Sequence, residues 1–149
     1  MQIFDNRNPI SIIFILVTAI VFIHAFGFAG LQSFNNQNKQ AIVSKFETWK
    51  RNEPYSYSYK VDSGCMSALS SNVLVVDGVA LFEQTSEYEL ELTIEDIFKQ
   101  AIKGAAQAAS MEVNYHSKYA YPLSIKVDWS KDVTDDECFY SVSNFKEIE

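Results

Sequence analysis

Five acidic side chains gather near the C-terminus: Asp128, Asp132, Asp135, Asp136 and Glu137. Several carboxylates on one loop are the donor set that calcium or another hard divalent cation takes. Their intervals do not follow an EF-hand, and the glycine that turns such a loop is missing. The spacing favours a solvated acidic hairpin loop, with an ion site as its alternative. His116 is the one histidine outside the apolar N-terminal stretch, so a triad-type nucleophilic site would rest on it alone. It stands in Asn114-Tyr115-His116-Ser117-Lys118 with neither a nucleophile nor an orienting acid at a recognisable spacing. That context marks an exposed turn residue. No catalytic set and no cofactor fingerprint is legible.

Tyrosine is the other abundant chemistry. Tyr55, Tyr57 and Tyr59 alternate along one strand-like run, and Tyr115, Tyr119 and Tyr121 follow later. A tyrosine presents a flat apolar body and a polar tip, so Tyr55, Tyr57, Tyr59 and Tyr121 are candidates to line a ligand groove. Half-buried packing on a sheet is the commoner use of such alternation. The two cysteines, Cys65 and Cys138, fall at predicted strand ends behind an export-type segment. An even count in that context predicts one disulfide; two buried free thiols is the alternative. The bridge would close a loop of about 73 residues and stabilise the fold by roughly 4 kcal/mol. A zinc site lacks a ligand cluster.

The elements that position these residues follow from periodicity. Thr93 to Ala109 has Ile94, Ile97, Phe98, Ala101, Ile102, Ala105 and Ala109 on one helical stripe. Thr93 is placed to cap it, and Asp96 stands where a capping-box acid would. Glu95 and Lys99 form an i,i+4 pair on the wet face. Its Ile and Phe half is expected on strand faces bearing Leu123, Ile125 and Val127, with small residues near its end letting a sheet approach closely. Before it, Ile42, Val43, Phe46 and Trp49 predict a helix from Ala41 to Asn52 that Pro54 stops. Tyr55 to Val61 alternates as a strand, with Cys65 on the same face. Asp77-Gly78 between two apolar runs predicts a type I′ hairpin over Asn72 to Gln84. Strands over 111–115, 123–129 and 138–145 complete the order α-β-β-β-α-β-β-β. This is an α+β domain with an antiparallel sheet packed on one main helix.

Pro9 to Leu31 contains no charged residue, and its 23 residues would reach roughly 34 Å as a helix, enough for a bilayer core of about 30 Å. It predicts an N-terminal transmembrane or signal-anchor helix. Ala25-Phe26-Gly27 and Gly27-Phe28-Ala29 offer small residues for signal-peptide cleavage, but the apolar stretch is longer than a signal-peptide core. An uncleaved anchor is therefore preferred. Leu31 stands where a lipidated cysteine would have to be. Lys39, Lys45, Lys50 and Arg51 after the segment favour a cytoplasmic C-terminus by charge, whereas the cysteine pairing favours export, which is the reading adopted. His24 reads as an interfacial histidine. The expected organisation is an anchor or signal sequence over 1–31, a polar linker or frayed helix over 32–40, and a globular domain over 41–149. The net charge of −7, with no run of Lys or Arg, argues against a nucleic-acid partner.

Taken in order, Trp49, the Tyr-rich strand, Cys65, Val75-Val76-Asp77-Gly78-Val79 and Thr93-Ile94-Glu95-Asp96-Ile97-Phe98 form a pattern. Val113-Asn114-Tyr115, Tyr121-Pro122, Asp128, Asp135-Asp136-Glu137 and Phe145 extend it. From Phe46 to Phe145 the chain resembles the bacterial family named domain of unknown function 6174, mostly small exported proteins and many of them lipoproteins. The family tends to carry Asp where this chain has His116, and Gly where it has Ala120. The resemblance implies an envelope location and supports pairing of Cys65; it implies no activity. The expected function is a non-enzymatic binding module of the bacterial envelope. It would be a single-pass inner-membrane protein with its domain outside the cytoplasm, or periplasmic if cleaved. Its expected partners are the membrane, through the N-terminal helix, and an envelope protein or ligand, with no cofactor. A hydrolase or metal-dependent enzyme using the loop from Asp128 to Glu137 is one alternative, and an inhibitor-like module the other.

Overall fold

The computed structural model describes residues 9–65, 67–85, 88–133 and 136–148, and within its first helix the side chains of 9–12 and 25–37 lie outside the description. The elements are α1 (Pro9–Asn52), β1 (Tyr57–Gly64), β2 (Ala68–Val76), β3 (Val79–Gln84), α2 (Ile94–Gln107), β4 (Ser110–Tyr115), β5 (Pro122–Asp128) and β6 (Glu137–Glu147). The strands form one six-stranded sheet in the order β3-β2-β1-β6-β5-β4. Every adjacent pair is antiparallel. This is the expected α+β architecture. The chain divides into two compact units, Met1–Gln37 and Asn38–Glu149.

In the second unit, both helical segments cover the same face of the sheet. Tyr57, Tyr59 and Val61 of β1, Val73 and Val75 of β2, and Ile125 and Val127 of β5 turn toward them. Ile42 and Trp49 of α1 and Ile94, Ile97, Phe98 and Ala101 of α2 complete the core. Trp49 is its aromatic hub, with Tyr57, Tyr121, Phe145 and Tyr119 around it in edge-to-face contact at 5.5, 5.5, 6.1 and 6.4 Å between centroids. Such contacts add roughly 0.5–1.5 kcal/mol each beyond area burial. Helix α2 lies on β4 and β5, and at Gly104 the approach is close. A Cβ there would meet Met111 Sδ at 2.6 Å. The capping box at its start is complete: Thr93 Oγ1 accepts from the Asp96 N–H at 3.1 Å, and Asp96 Oδ2 accepts from the Thr93 N–H at 3.2 Å. The expected hairpin turn is present too, with positive φ at both Asp77 (54°) and Gly78 (77°).

Two bulges break the strict alternation read from the sequence. Asn114 pairs with Ser124 but Tyr115 pairs with Pro122, which leaves Leu123 without a partner on β4. Pro122 takes the inward position and Leu123 is exposed, contrary to the expectation that Leu123 faces α2. In β6, Lys146 pairs with Ser58 and Ser143 with Lys60, so Asn144 and Phe145 together oppose Tyr59. Alternation alone would put Asn144 beside Val142 on the core face. The bulge, with Asn144 at φ 54°, turns Phe145 inward instead.

In the first unit, Ile13 to Val17 are five consecutive apolar side chains, all exposed, and Ile20 to Ile23 repeat the pattern. The polar side chains between and beyond them turn back onto the helix: Thr18 Oγ1 donates to Phe14 O at 2.7 Å, and His24 Nδ1 lies 2.8 Å from Ile20 O. Among the described residues no helix is long and apolar enough to cross a membrane. The expected anchor over 9–31 includes side chains outside the description, as do the cleavage positions from Ala25 to Ala29 and Leu31. Residues 32–40 carry helical backbone within α1.

Candidate functional site

With the helices on one face, the other face of the sheet is open. Cross-strand register sets a row of side chains across it: Glu112 opposite Lys126, Lys126 opposite Phe139, Phe139 opposite Gly64, and Gly64 opposite Ala68. A second row, Ser110, Asp128 and Glu137, runs beside it. Together with the turn after β1 these residues line a cleft of about 720 Å³. Cys65 and Cys138, joined by a disulfide, both border it. Gly64 is required there, because a Cβ would stand 2.8 Å from both the Phe139 ring and the Ser67 carbonyl oxygen. Three carboxylates (Glu112, Asp128, Glu137) face one ammonium (Lys126), so the cleft is net anionic.

A smaller groove of about 620 Å³ lies on the same face and includes Lys60, Asn72, Leu74, Leu81, Glu83 and Lys146 in its lining. At the hairpin end Leu74 pairs with Leu81 and Val76 with Val79. All four are exposed, Val79 at 61% and Leu81 at 56%. Asp62, further along β1, is held by Lys60 at 2.8 Å and by the Ser70 hydroxyl at 2.6 Å. Burial works to raise its carboxyl, but these hydrogen bonds and the lysine charge outweigh it and hold the group below the usual carboxylate range.

The disulfide expected from the cysteine count is present and joins residues 73 apart. Trp129 Nε1–H donates to Cys138 Sγ at 3.3 Å, and the Lys103 ammonium sits 4.9 Å from the centre of the same indole.

Three of the four tyrosines offered for a ligand groove pack in the core, and Tyr59 also borders the second groove. Tyr57, Tyr59 and Tyr121 are 4%, 3% and 1% exposed and belong to the core, so sheet packing is their role. Only Tyr55 is exposed, ahead of β1 rather than within it. Burial pushes the phenols of Tyr57 and Tyr59 well above their usual range, and raises Tyr115 and Tyr121 to about 12. None ionises near neutrality. The acidic set is spread out. Asp128 and Glu137 face each other across β5 and β6, Asp132 is exposed in the loop, and Asp136 is half-buried before β6. Asp135 lies outside the described residues. Among the described residues, no group of three or more His, Cys, Asp or Glu comes together to hold a metal ion.

His116 is half-buried rather than exposed. Its Nδ1 accepts from the backbone N–H groups of Lys118 and Tyr119, each at 3.2 Å. The ring stacks on Tyr121 at 4.9 Å. A carboxylate at this position would satisfy the same two donors; here the imidazole is the acceptor that shapes the turn. Ala120 closes that turn at φ 64°, the left-handed region where glycine is at ease.

Glu112, Lys126 and Phe139 escaped the reading of the sequence as site residues because they are simply the outward members of alternating strands. Phe139 carried the one available signal. With Cys138, Tyr140 and Val142 inward, an aromatic is left on the solvent side.

Comparison with known proteins finds no match among curated proteins or solved structures. Residues 41–147 match the model of a family described only as one of unknown function, DUF6174. That range takes in both covering helical segments after residue 40 and all six strands. The chain therefore belongs to the DUF6174 family.

Proposed function

We propose that this protein is a membrane-tethered, extracytoplasmic binding module that engages an envelope protein through the open face of its sheet. The observation that carries the binding reading is the contrast between the two faces. One is sealed by α1 and α2, while the other presents the cleft and the exposed apolar quartet Leu74, Val76, Val79 and Leu81. A contiguous apolar patch whose Leu74 and Leu81 also line the groove with Lys60, Glu83 and Lys146 suits recognition of a folded partner. Tethering is supported by the apolar run from Ile13 to Ile23, exposed on every side of its helix, and by Thr18 and His24 bonding to their own backbone. Polar groups in hydrocarbon must be satisfied in that way. The disulfide supports the oxidising side of the membrane.

A photo-crosslinking residue placed at Leu81 or Phe139, with Ala106 on α2 as the control, tests the reading in intact cells. The expected result is one discrete adduct from the sheet-face positions, lost when Leu74→Asp is added, and none from position 106. Equal labelling at all three positions, or no adduct at any, would overturn it. Protease added to spheroplasts is expected to digest residues 41–149; protection of that domain would overturn the extracytoplasmic placement.

A further inference from the structure

The two halves of the disulfide are not equivalent. Cys65 lies in the turn between β1 and β2 and is exposed, whereas Cys138 is 7% exposed at the start of β6. Both border the cleft, so the bond is approached from solvent on the Cys65 side. Among the described residues, the N–H donor to either sulfur is the indole of Trp129, and it points at Cys138.

We propose that Cys65 is a thiol-exchange site, opened by an external thiol. The attacking thiol loses its proton to solvent. Its sulfur bonds to Cys65 Sγ, the Cys65–Cys138 bond breaks, and the electron pair departs on Cys138. A second thiolate attacking the donor sulfur of the mixed disulfide releases Cys65 and an oxidised thiol pair. The full sequence is thus a two-electron reduction in which two donor thiols are oxidised.

Exchange is governed by which sulfur is reached and by how well the other leaves as a thiolate. Access selects Cys65. Burial disfavours charge on Cys138, and the Trp129 N–H offsets this because a hydrogen bond strengthens as its acceptor becomes anionic. Opening the bond frees the β1–β2 turn from β6, and with it one wall of the cleft. This inference rests on the disulfide and its surroundings, and stands apart from the binding reading.

The test treats the oxidised full-length chain, in detergent and without denaturant, with cysteamine, 2-mercaptoethanol or glutathione. Acid quenching, alkylation and peptide mapping then locate the adduct. The expected adduct is on Cys65, with Cys138 recovered as the alkylated free thiol. Trp129→Phe should slow exchange roughly tenfold without moving the adduct, the effect of one lost hydrogen bond to a developing charge. Circular dichroism confirms that this variant is folded, and the wild-type map stands without it. Adducts on Cys138 or on both cysteines, or exchange only after denaturation, would overturn the site. An unchanged rate in folded Trp129→Phe would overturn the role of the indole.

Discussion

The indole nitrogen of Trp129, just past the end of β5, lies 3.3 Å from the Sγ of Cys138 at the start of β6. The buried half of the disulfide is therefore braced from the neighbouring strand, while its other half ties down the β1–β2 turn.

Replacing both cysteines by serine should lower the unfolding free energy by about 4 kcal/mol, the chain-entropy value for a loop of this length. Urea denaturation of the double variant against the oxidised parent measures it. A difference near zero would mean that the turn is held without the bridge.

Phe98 is 1% exposed and packs against Phe46 and Tyr115, with ring centroids at 5.1 and 6.4 Å. Phe98→Ala should destabilise the domain by about 3–5 kcal/mol. Chemical denaturation is again the measurement. A neutral result would contradict the placement of α2 over β4 and β5.

Positive φ at two non-glycine positions separates their substitutions. At Ala120 the backbone is at 64° and carries a Cβ. Relief of the left-handed penalty of about 1–2 kcal/mol, less the greater unfolded entropy of glycine, leaves Ala120→Gly stabilised by about 0.5–1 kcal/mol. At Asn144 the side chain tolerates the conformation, so Asn144→Gly should change little, while the β-branched Asn144→Val should cost about 1–2 kcal/mol. Thermal melts of the three variants distinguish these outcomes.

Asp96 provides the pH-dependent case. Partial burial works to raise its carboxyl, but hydrogen bonds from Thr93 and Lys99 and the Lys99 charge hold it below its usual value of 3.8. Because the folded value is the lower one, the stabilisation is fully present above the unfolded pKa and is lost as pH falls from about 4 through the folded value. Asp96→Asn should therefore be less stable than the parent at pH 7, with the gap closing as pH falls through the folded value. Thr93→Ala, which removes the reciprocal bond, should cost about 1 kcal/mol at neutral pH.

Local pattern accounts for most of the fold. The 3.6-residue stripe of α2, its capping box and the Asp77-Gly78 turn are short-range features, and each is present as read. The order of the later strands was legible for the same reason. Leu123 and Phe145 were not, because a bulge depends on the partner strand: β4 leaves Leu123 over, and β1 makes Asn144 the extra residue. The candidate site was less legible still. Sequence chemistry pointed to the acidic loop and the tyrosines, yet three of the four tyrosines are core and no three of the described acids come together.

What the amino-acid order determined by itself was the alphabet of elements, the α+β class, the cysteine pair and the family, since these rest on periodicity, turn chemistry and residue type. Only the tertiary structure decided which sheet face is sealed, that Cys65 is exposed while Cys138 is buried, and that Glu112, Lys126 and Phe139 share one row. Those relations join β1, β4, β5 and β6, far apart in the chain, through cross-strand register. Register depends on the packing of the whole sheet rather than on any local run of residues.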